Sequence, residues 1–256
     1  MSYSPEYFST FPAEKGCFLR RGQVGEIDAD CMGRIRPGML LRQMQEAGAD
    51  HAEELGIGRA MTRDKGVLWV IVRTSLEIDR LPVLGEAYEI LTWPGKTRKV
   101  FMPRYFELRS IEGERLARAC SVYLLISKES RKMQNPGHLG ICAEAVELPG
   151  QLPEPEKRVP FPDALPEREL RRPRYSELDT NVHLNNSHYL DWAEDLLGTE
   201  YHHSHTLSSL WVEYRTEVLS DDELALRYAV QDDTLYLTGE SARANHFSLR
   251  AQYSET

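Results

Sequence analysis

The sequence predicts an α+β protein in which one small fold, an antiparallel sheet packed against a long helix, occurs twice in succession. In each half, apolar residues at helical spacing come first, and four extended segments rich in apolar and β-branched residues follow. The halves also share letters, because Leu68-Trp69-Val70 and Arg73-Thr74 reappear in the same register as Leu210-Trp211-Val212 and Arg215-Thr216. A repeat of this length exceeds a solenoid unit, so we interpret it as two fused copies of a single fold.

The first copy is predicted to contain a helix followed by four strands. Residues 1–15 form an undefined arm, residues 16–26 form a first strand, and Pro37 suits the first turn of a helix. Apolar residues then recur at spacings of three and four until Gly56 and Gly58 end the helix. Strands are predicted at 67–78, 87–93, 100–109 and 116–126, the last two joined by a hairpin turn at Glu112-Gly113.

A stretch rich in proline, glycine and glutamate, residues 128–173, is predicted to link the copies along the surface. The second copy then has its own helix, with Tyr189, Trp192, Ala193 and Leu196 on the apolar face. Its strands are predicted at 209–219, 223–231, 235–244 and 247–253. The predicted organisation is therefore an N-terminal domain at 1–127, a linker at 128–173 and a C-terminal domain at 174–256.

The composition is that of an ordinary globular protein with an acidic surplus. Of 256 residues, 41% are hydrophobic and 28% are charged, and the formal net charge is -9. That charge argues against general nucleic-acid binding. No apolar run approaches the roughly 20 residues that a membrane-spanning helix needs. The first residues, MSYSPEYFSTFP, lack the basic flank and apolar core of a signal peptide, so we expect a cytoplasmic protein.

Cysteines and histidines give no sign of a metal site. Cys17, Cys31, Cys120 and Cys142 stand far apart without a CxxC pair, which is typical of a reducing compartment rather than of zinc binding. The densest histidine cluster, at residues 201–205, falls where a helix should end and has no cysteine companion. We interpret that cluster as a solvated loop and expect no metal.

The stretch Arg174–Leu197 carries the candidate active site. Asp179, Asn181 and His183 occupy alternate positions, so a carboxylate, an amide and an imidazole point to one side of an extended segment. The run Asn185-Asn186-Ser187 then supplies N-cap chemistry for the second helix, whose first N–H groups would face a developing oxyanion. Asparagines in turns usually satisfy backbone N–H groups, and that is the role we expect for this pair.

Comparison of the two copies assigns the chemistry to the second one. Asp28-x-Asp30-x-Met32 aligns with Asp179-x-Asn181-x-His183, and in the repeated strand Ser75 is at the position that aligns with Glu217. Taken singly, each of these polar residues is more often structural than catalytic. As a set that occurs in one copy and is missing from the other, they favour acid/base chemistry in the C-terminal copy and a ligand pocket in the N-terminal copy.

Acid/base groups without a serine or cysteine nucleophile suit the hydrolysis of an activated acyl compound. A carboxylate or an imidazole can activate a water, and each fixed donor at the oxyanion is worth about 3–4 kcal/mol. A thiolate leaves with little assistance because the pKa of a thiol is about 8.5, so a thioester is within reach of this set. No G-x-S-x-G elbow, P-loop or Gly-rich dinucleotide motif is present, which disfavours those chemistries.

Two motifs resemble those of the acyl-ACP thioesterases of the plant FatA/FatB type and their bacterial relatives. They are Asp179-Thr-Asn181-Val-His183-Leu-Asn185-Asn186, with Tyr189 and Trp192 behind it, and Glu213-Tyr214-Arg215-Thr216-Glu217, where the family has Glu-Tyr-Arg-Arg-Glu-Cys. The resemblance covers nearly the whole chain and implies two fused hot-dog folds, each a sheet wrapped around a helix. It implies hydrolysis of fatty acyl-ACP to a free fatty acid and ACP, in fatty acid biosynthesis, without metal or cofactor. It also implies that Asp179, Asn181, His183 and Glu217 are the catalytic residues.

One position departs from the family pattern. The cysteine that ends the second family motif, which one version of the mechanism makes a nucleophile together with His and Asn, is Val218 here. If the chain is active, water activated by Glu217 or Asp179 is therefore favoured over a cysteine nucleophile. If that cysteine were essential, the chain would be an inactive homologue, and we favour the first interpretation.

We expect the acyl chain to lie in the first copy, between its helix and sheet, near Met44, Trp69 and Ile71, although these residues suit a plain core equally well. ACP is acidic, so a chain with a surplus of negative charge would need a local positive patch to bind it. Arg171, Arg172 and Arg174, just before the first motif, are the candidate docking residues, and a homodimer is compatible with this arrangement.

Three other functions stay open at this point. The nearest is an acyl-CoA thioesterase that uses the same chemistry. A non-catalytic acyl-binding or sensor protein on the same fold is kept open by Val218, although the intact set of Asp, Asn, His and Glu disfavours it. A hot-dog hydratase is less favoured because the order of the motifs matches thioesterases better.

Overall fold

The computed structural model describes residues 9–12 and 16–256 of the chain. Most of the arm predicted at 1–15 lies outside these described residues. The chain clusters into two compact units: Met1–Val72 with Leu76–Glu154, the N-terminal unit, and Arg73–Ser75 with Pro155–Thr256, the C-terminal unit. Within the described part of the chain, no helix is long and apolar enough to cross a membrane.

The N-terminal unit is built on an antiparallel sheet. Its strands follow the order β1-β2-β4-β5-β6-β3, and the short β7 pairs with β6. The elements are β1 (Ser9–Pro12), β2 (Phe18–Gln23), α1 (Pro37–Glu54), α2 (Arg59–Asp64), β3 (Val67–Ile78), β4 (Ala87–Pro94), β5 (Met102–Ser110), β6 (Arg115–Ser127) and β7 (Met133–Gln134).

Helix α1 forms the second layer of this unit. Pro37 occupies its first turn, as predicted, and the helix ends where Gly56 adopts a left-handed conformation with φ of 69°. Leu40, Leu41 and Met44 on one face are at most 4% exposed. Burying one such side chain is worth about 1.5–3 kcal/mol, so this apolar face, rather than helix propensity, holds α1 against the sheet.

A buried polar cluster interrupts the apolar layer between α1 and the sheet. The guanidinium of Arg104 donates to His51 Nδ1 at 3.1 Å and to Thr92 Oγ1 at 3.2 Å. His51 is 3% exposed and Arg104 is 8% exposed. Burial and the neighbouring Arg104 charge lower the pKa of His51 to about 4, so its imidazole is neutral near pH 7 and accepts through Nδ1.

The C-terminal unit repeats the design with a smaller sheet. Its strands follow the order β9-β12-β11-β10-β8, and each neighbouring pair is antiparallel. The elements are β8 (Glu167–Arg171), a 3-10 turn (Tyr175–Glu177), α3 (His188–Ser204), β9 (His205–Tyr214), β10 (Leu224–Gln231), β11 (Thr234–Glu240) and β12 (Asn245–Glu255).

Helix α3 packs an aromatic face onto β9 and β12. Tyr189 lies edge-to-face against Phe247 at 4.6 Å and against Tyr214 at 5.2 Å between ring centroids. Trp192 is fully buried on the same face. The helix is kinked at Gly198, which adopts a φ of 76° that glycine tolerates because it has no Cβ atom.

The segment predicted as a linker at 128–173 is divided between the two units. Its first part stays with the N-terminal unit, where β7 pairs with β6 and Ile141 joins a core cluster with Ile57 and Val67. Its last part forms β8, an edge strand that pairs with β10. The sequence ERELR of β8 is polar because an edge strand with exposed faces needs no apolar alternation, and the hydrophobic pattern therefore missed it.

Strand β9 ends earlier than the predicted strand at 209–219. The N–H groups of Arg215 and Thr216 both donate to the single carbonyl of His246, at 2.8 and 3.2 Å, and this shared acceptor ends the regular ladder. Glu217 therefore lies in an irregular segment after β9, not within a strand.

Candidate active site

The loop Leu178–Leu184 is folded around the carboxylate of Asp179. Asp179 Oδ1 accepts the N–H groups of Asn181 at 2.8 Å and of His183 at 3.0 Å. The Asp179 N–H in turn donates to the His183 carbonyl at 2.8 Å, and the ends of the loop form a bridge between Leu178 and Leu184. A short polar side chain that binds nearby backbone N–H groups is the usual way to hold such a turn.

Asn181 and Val182 form the tip of this loop. Asn181 Nδ2 donates to Asp179 Oδ2 at 3.3 Å, so Asp179 uses both carboxylate oxygens within the loop. Val182 has φ of 63°, a left-handed conformation that is unfavourable for a β-branched residue and costs about 1–3 kcal/mol. The loop therefore holds its tip against backbone strain.

Glu217 reaches this loop from the segment after β9. Its Oε1 lies 3.7 Å from His183 Nδ1, and the two side chains are 35% and 21% exposed. The backbones are joined as well, because the Leu184 N–H donates to the Val218 carbonyl at 2.9 Å and His183 bridges to Leu219. A carboxylate and an imidazole at this separation, both open to solvent, can orient and deprotonate one water.

The structure thus brings together the four predicted catalytic residues, all within the C-terminal unit. Asp179 touches Asn181 through its side chain and His183 through the backbone N–H, and His183 touches Glu217. Val218, at the family cysteine position, is fully buried. All four cysteines of the chain precede residue 155, so this unit contains none.

The N-terminal unit contains an equivalent loop, but its register differs from the one that the letters suggested. Asp30 Oδ1 accepts the N–H groups of Met32 at 2.8 Å and Arg34 at 2.9 Å, as Asp179 does for Asn181 and His183. The alignment of Met32 with His183 is therefore wrong by two residues, and Arg34 is the counterpart of His183.

The counterpart of Glu217 also changes. The Ile35 N–H donates to the Pro82 carbonyl at 2.9 Å, as the Leu184 N–H does to Val218, so Leu81 rather than Ser75 is equivalent to Glu217. The shared letters therefore do not give the register of this strand, because Trp69 precedes Pro82 by 13 residues whereas Trp211 precedes Val218 by seven. At these two positions the N-terminal unit has Arg34 and Leu81, so it has neither an imidazole nor a carboxylate there.

Glu177, which sequence reasoning did not single out, anchors the start of the active-site loop. Its Oε2 accepts the Arg174 N–H at 2.7 Å, and its Oε1 accepts the indole N–H of Trp192 at 3.0 Å. Its carbonyl accepts the Asn185 N–H at 2.9 Å. Asp28 occupies the equivalent place in the N-terminal unit, where it accepts the Gly25 N–H at 3.1 Å. A lone glutamate before a polar motif carries no periodic signal by which it could have been found.

The arginines predicted to dock ACP differ in their surroundings. Arg171 is 16% exposed and pairs with Asp195 at 2.7 Å, and its guanidinium lies 4.9 Å above the Trp192 ring. Arg172 pairs with Glu223 at 3.0 Å. The Arg174 side chain is exposed. The first two guanidinium groups are therefore engaged by carboxylates of their own chain.

The residues predicted to line an acyl pocket lie in the N-terminal unit. Met44 is 1% exposed on α1 and Ile71 is 7% exposed on β3. Trp69 is half-buried, donates its indole N–H to the Ile57 carbonyl at 3.0 Å, and packs edge-to-face on Tyr123.

The histidines at the end of α3 contact other residues of the C-terminal unit. His205 stacks on Tyr201 at 4.1 Å between ring centroids, and His202 Nε2 lies 3.0 Å from the Glu194 carbonyl oxygen. Among the residues that the structure describes, no cluster of His, Cys, Asp or Glu has the arrangement of a metal site.

An antiparallel sheet wrapped around a long helix, present twice in one chain, defines a double hot-dog protein. Solved structures share this fold. The 12:0-ACP thioesterase from Umbellularia californica has a TM-score of 0.82 at 22% identity, covering 96% of this chain and 100% of that one. An acyl-ACP thioesterase from Bacteroides thetaiotaomicron has a TM-score of 0.83 at 20% identity, covering 94% and 99%.

Sequence comparison identifies the family. The model of the acyl-ACP thioesterase N-terminal domain matches residues 17–136, and that of the C-terminal domain matches residues 163–251. The chain belongs to the acyl-ACP thioesterase family.

Individual relatives agree with this assignment. A chloroplastic palmitoyl-acyl carrier protein thioesterase from Gossypium hirsutum is 30% identical over 224 residues, which are 81% of this chain and 53% of the relative. A chloroplastic dodecanoyl-[acyl-carrier-protein] hydrolase from Cinnamomum camphora is 28% identical over 205 residues, 72% of this chain and 52% of the relative. The chain therefore spans about half the length of the curated relatives it matches.

Proposed function

We propose that the protein hydrolyses the thioester of fatty acyl-ACP and releases a free fatty acid and ACP, as a step of fatty acid biosynthesis. Family membership supports the substrate class. The observation that carries the chemistry is the contact between Glu217 Oε1 and His183 Nδ1, 3.7 Å apart, beside the loop that Asp179 folds. A carboxylate and an imidazole at this separation form an acid/base pair that needs neither metal nor cofactor for hydrolysis.

In the proposed reaction, Glu217 takes a proton from a water whose oxygen attacks the thioester carbonyl carbon. A tetrahedral intermediate forms, and Asn181 Nδ2 and backbone N–H groups near the start of α3 stabilise its oxyanion. The C–S bond then breaks, and the thiolate of the carrier leaves and receives the proton from Glu217 or His183. A thiolate is a good leaving group, so no covalent acyl-enzyme is required.

Asp179 is a positioning residue in this proposal. Its carboxylate already accepts two backbone N–H groups and the Asn181 amide, and Asp30 does the same backbone work in a loop without an imidazole. Val218 supports a direct attack by water, because the position is apolar and fully buried.

We place the acyl chain in the N-terminal unit, near Met44, Trp69 and Ile71, where α1 and β3 carry apolar side chains. For the carrier we favour Arg174 over Arg171 and Arg172, because the latter two are engaged by Asp195 and Glu223.

The test is a hydrolysis assay with acyl-ACP of several chain lengths and a reagent that detects the released thiol. Turnover of acyl-ACP with kcat/KM well above that for the matched acyl-CoA supports the proposal. Preference for acyl-CoA would move the assignment to a CoA thioesterase. Binding of acyl-ACP without thiol release would indicate an acyl-binding protein and refute hydrolysis.

A further inference from the structure

The main-chain carbonyl of Glu217 is held by two side chains that the proposed mechanism does not use. We propose that His246 is a positioning residue, which fixes the Glu217 backbone so that its carboxylate stays beside His183. This inference rests on the proposed function, because it concerns the same acid/base pair. It adds a residue more than 60 positions from the catalytic loop in sequence.

His246 is fully buried and uses both ring nitrogens. Its Nδ1 lies 3.0 Å from the Glu217 carbonyl oxygen and 3.2 Å from that of Thr216, and its Nε2 lies 2.8 Å from Ser241 Oγ. Carbonyl oxygens only accept hydrogen bonds, so Nδ1 must carry the proton. The Ser241 hydroxyl then donates to Nε2 and holds this tautomer in place.

Burial lowers the pKa of His246, which keeps the ring neutral and this tautomer populated near pH 7. A second donor shares the same carbonyl: Arg243 Nη2 lies 2.8 Å from the Glu217 oxygen and also pairs with Asp222 at 2.5 Å. Both lone pairs of the Glu217 carbonyl are therefore engaged.

The next carbonyl along the chain, that of Val218, accepts the Leu184 N–H from the catalytic loop at 2.9 Å. Two consecutive peptide groups are thus fixed, one by His246 and one by the loop that carries His183. The 3.7 Å separation between Glu217 and His183 depends on both attachments.

The N-terminal unit shows which part of this arrangement the fold itself requires. There the Leu116 carbonyl accepts the N–H groups of Asp79 and Arg80 at 2.9 and 3.2 Å, as the His246 carbonyl accepts those of Arg215 and Thr216. Leu116 is the counterpart of His246 and is likewise fully buried. The fold thus keeps the backbone pattern with a leucine at this position.

In both units, the turn that follows is held by a carboxylate that accepts a backbone N–H and pairs with an arginine, but the arginine comes from a different place in the chain. Arg80 pairs with Glu86, which accepts the Val83 N–H at 3.0 Å. In the C-terminal unit Asp222 accepts the Leu219 N–H in the same way, but its arginine is Arg243, which also reaches the Glu217 carbonyl. Of the two units, the C-terminal one has both His246 and Arg243 on the same carbonyl, and it is also the unit with a carboxylate side chain, that of Glu217, at this position.

The experiment uses the full chain with acyl-ACP as substrate and compares His246→Leu with His246→Asn. Leucine is the residue that the N-terminal unit tolerates, and it removes the donor. Asparagine can place an N–H near the position of Nδ1 and restore the donor. We expect His246→Leu to lose at least about ten-fold in kcat with KM within about two-fold, and His246→Asn to recover most of that loss.

His202→Leu is the matched control, because it removes a half-buried imidazole that contacts the Glu194 carbonyl in the same unit, away from Glu217. We expect its kcat to match that of the wild type. If His246→Leu does not fold, Ser241→Ala provides the second test, because it frees the ring to change tautomer. We expect Ser241→Ala to lower kcat several-fold, and nitrogen NMR of the wild type to show His246 protonated on Nδ1.

Retention of wild-type kcat by His246→Leu, or by Ser241→Ala where the leucine variant does not fold, would overturn the inference. Equal losses in the leucine and asparagine variants would also overturn it, because the donated hydrogen bond would then not matter. Protonation of the wild-type ring on Nε2 would overturn it independently of any assay. Absence of acyl-ACP hydrolysis by the wild type would instead refute the proposed function, and the NMR result would still decide the tautomer.

Discussion

The two Asp-centred loops allow the structural and catalytic roles of Asp179 to be separated by a pair of matched substitutions, Asp179→Ala and Asp30→Ala. Each carboxylate accepts two backbone N–H groups through Oδ1 and one side-chain N–H through Oδ2. The loops therefore lose the same two backbone bonds. Their side chains differ, because His183 follows one aspartate and Arg34 follows the other at the same distance.

The expected loss of stability is similar for both variants. Two backbone bonds to a carboxylate are removed from half-buried positions, where water can replace part of each bond, so about 1 kcal/mol per bond gives about 2 kcal/mol in total. For a chain of this size, 1 kcal/mol shifts Tm by roughly 2–4 °C, so each variant should melt about 4–8 °C lower. Differential scanning calorimetry measures this shift, and circular dichroism at 25 °C checks that both variants are folded.

The expected loss of activity is different. In Asp179→Ala the carboxylate no longer holds Asn181 and His183. A displacement of these side chains by about 1 Å costs roughly 100-fold in kcat. Asp30→Ala should retain wild-type kcat on acyl-ACP at a temperature where it is folded. Asp179→Asn keeps an acceptor for the backbone and should retain more activity than Asp179→Ala if the residue positions the others.

Two results would refute this reasoning. A loss of kcat in Asp30→Ala as large as that in Asp179→Ala would mean that activity follows general stability rather than the loop that carries His183. An Asp179→Asn variant as inactive as Asp179→Ala, with a wild-type Tm, would mean that the carboxylate itself acts as the base.

Three further predictions follow from the site and the core. Glu217→Gln and His183→Ala should each lower kcat by roughly 10²–10⁴-fold with an unchanged circular dichroism spectrum, as expected for removal of a general base or its partner; near-normal turnover by Glu217→Gln would exclude it as the base. His51 has a folded-state pKa of about 4 against 6.5 for an ordinary histidine, so the unfolded chain binds a proton first as pH falls. Stability should therefore be lost between pH 6.5 and 4, by up to about 3 kcal/mol, and His51→Gln should flatten this dependence in urea titrations at pH 7 and 4.5; an unchanged slope in the variant would show that other groups cause it. Arg174→Ala should raise KM for acyl-ACP several-fold, and high salt should abolish the difference, while KM for acyl-CoA stays constant; equal effects on both substrates would exclude a role in carrier docking.

The helices and most strands could be predicted because their apolar residues follow a regular period. Helix α1 was located from Pro37 to the terminating glycines, and β3 spans Val67–Ile78, as predicted. Strand β8 and helix α2 were missed. Strand β8 is polar and largely exposed, and α2 is a six-residue helix without a buried residue, so no apolar period marks either of them in the sequence.

The loop of Asp179, Asn181 and His183 could be predicted because its residues are neighbours in sequence. Glu217 was added through a repeated strand and a family motif, and the structure places its carboxylate beside His183. The register between the copies failed within each motif, because Asp30 rather than Asp28 is the counterpart of Asp179, and Asp79-Arg80 rather than Arg73-Thr74 is the counterpart of Arg215-Thr216. The backbone hydrogen bonds to Asp30 and Asp179, rather than sequence identity, identify Arg34 as the counterpart of His183.

Buried polar residues were the main omission. His246 contacts the Glu217 carbonyl and Glu177 contacts the Trp192 indole, both distant in sequence, and nothing in their immediate neighbours distinguishes them from solvated side chains. Such residues are found only when the chain is folded and each backbone carbonyl is traced to its donor.

The distribution of cysteines determines how the protein should respond to alkylating reagents. Cys31 and Cys142 are exposed in the N-terminal unit and should react with iodoacetamide, whereas Cys120 is buried and burial raises the pKa of its thiol. The C-terminal unit has no sulfhydryl to lose, and Val218 stands where the family has one. Alkylated protein should therefore keep its turnover, and prior alkylation would also remove the protein's own background from an assay that detects released thiols.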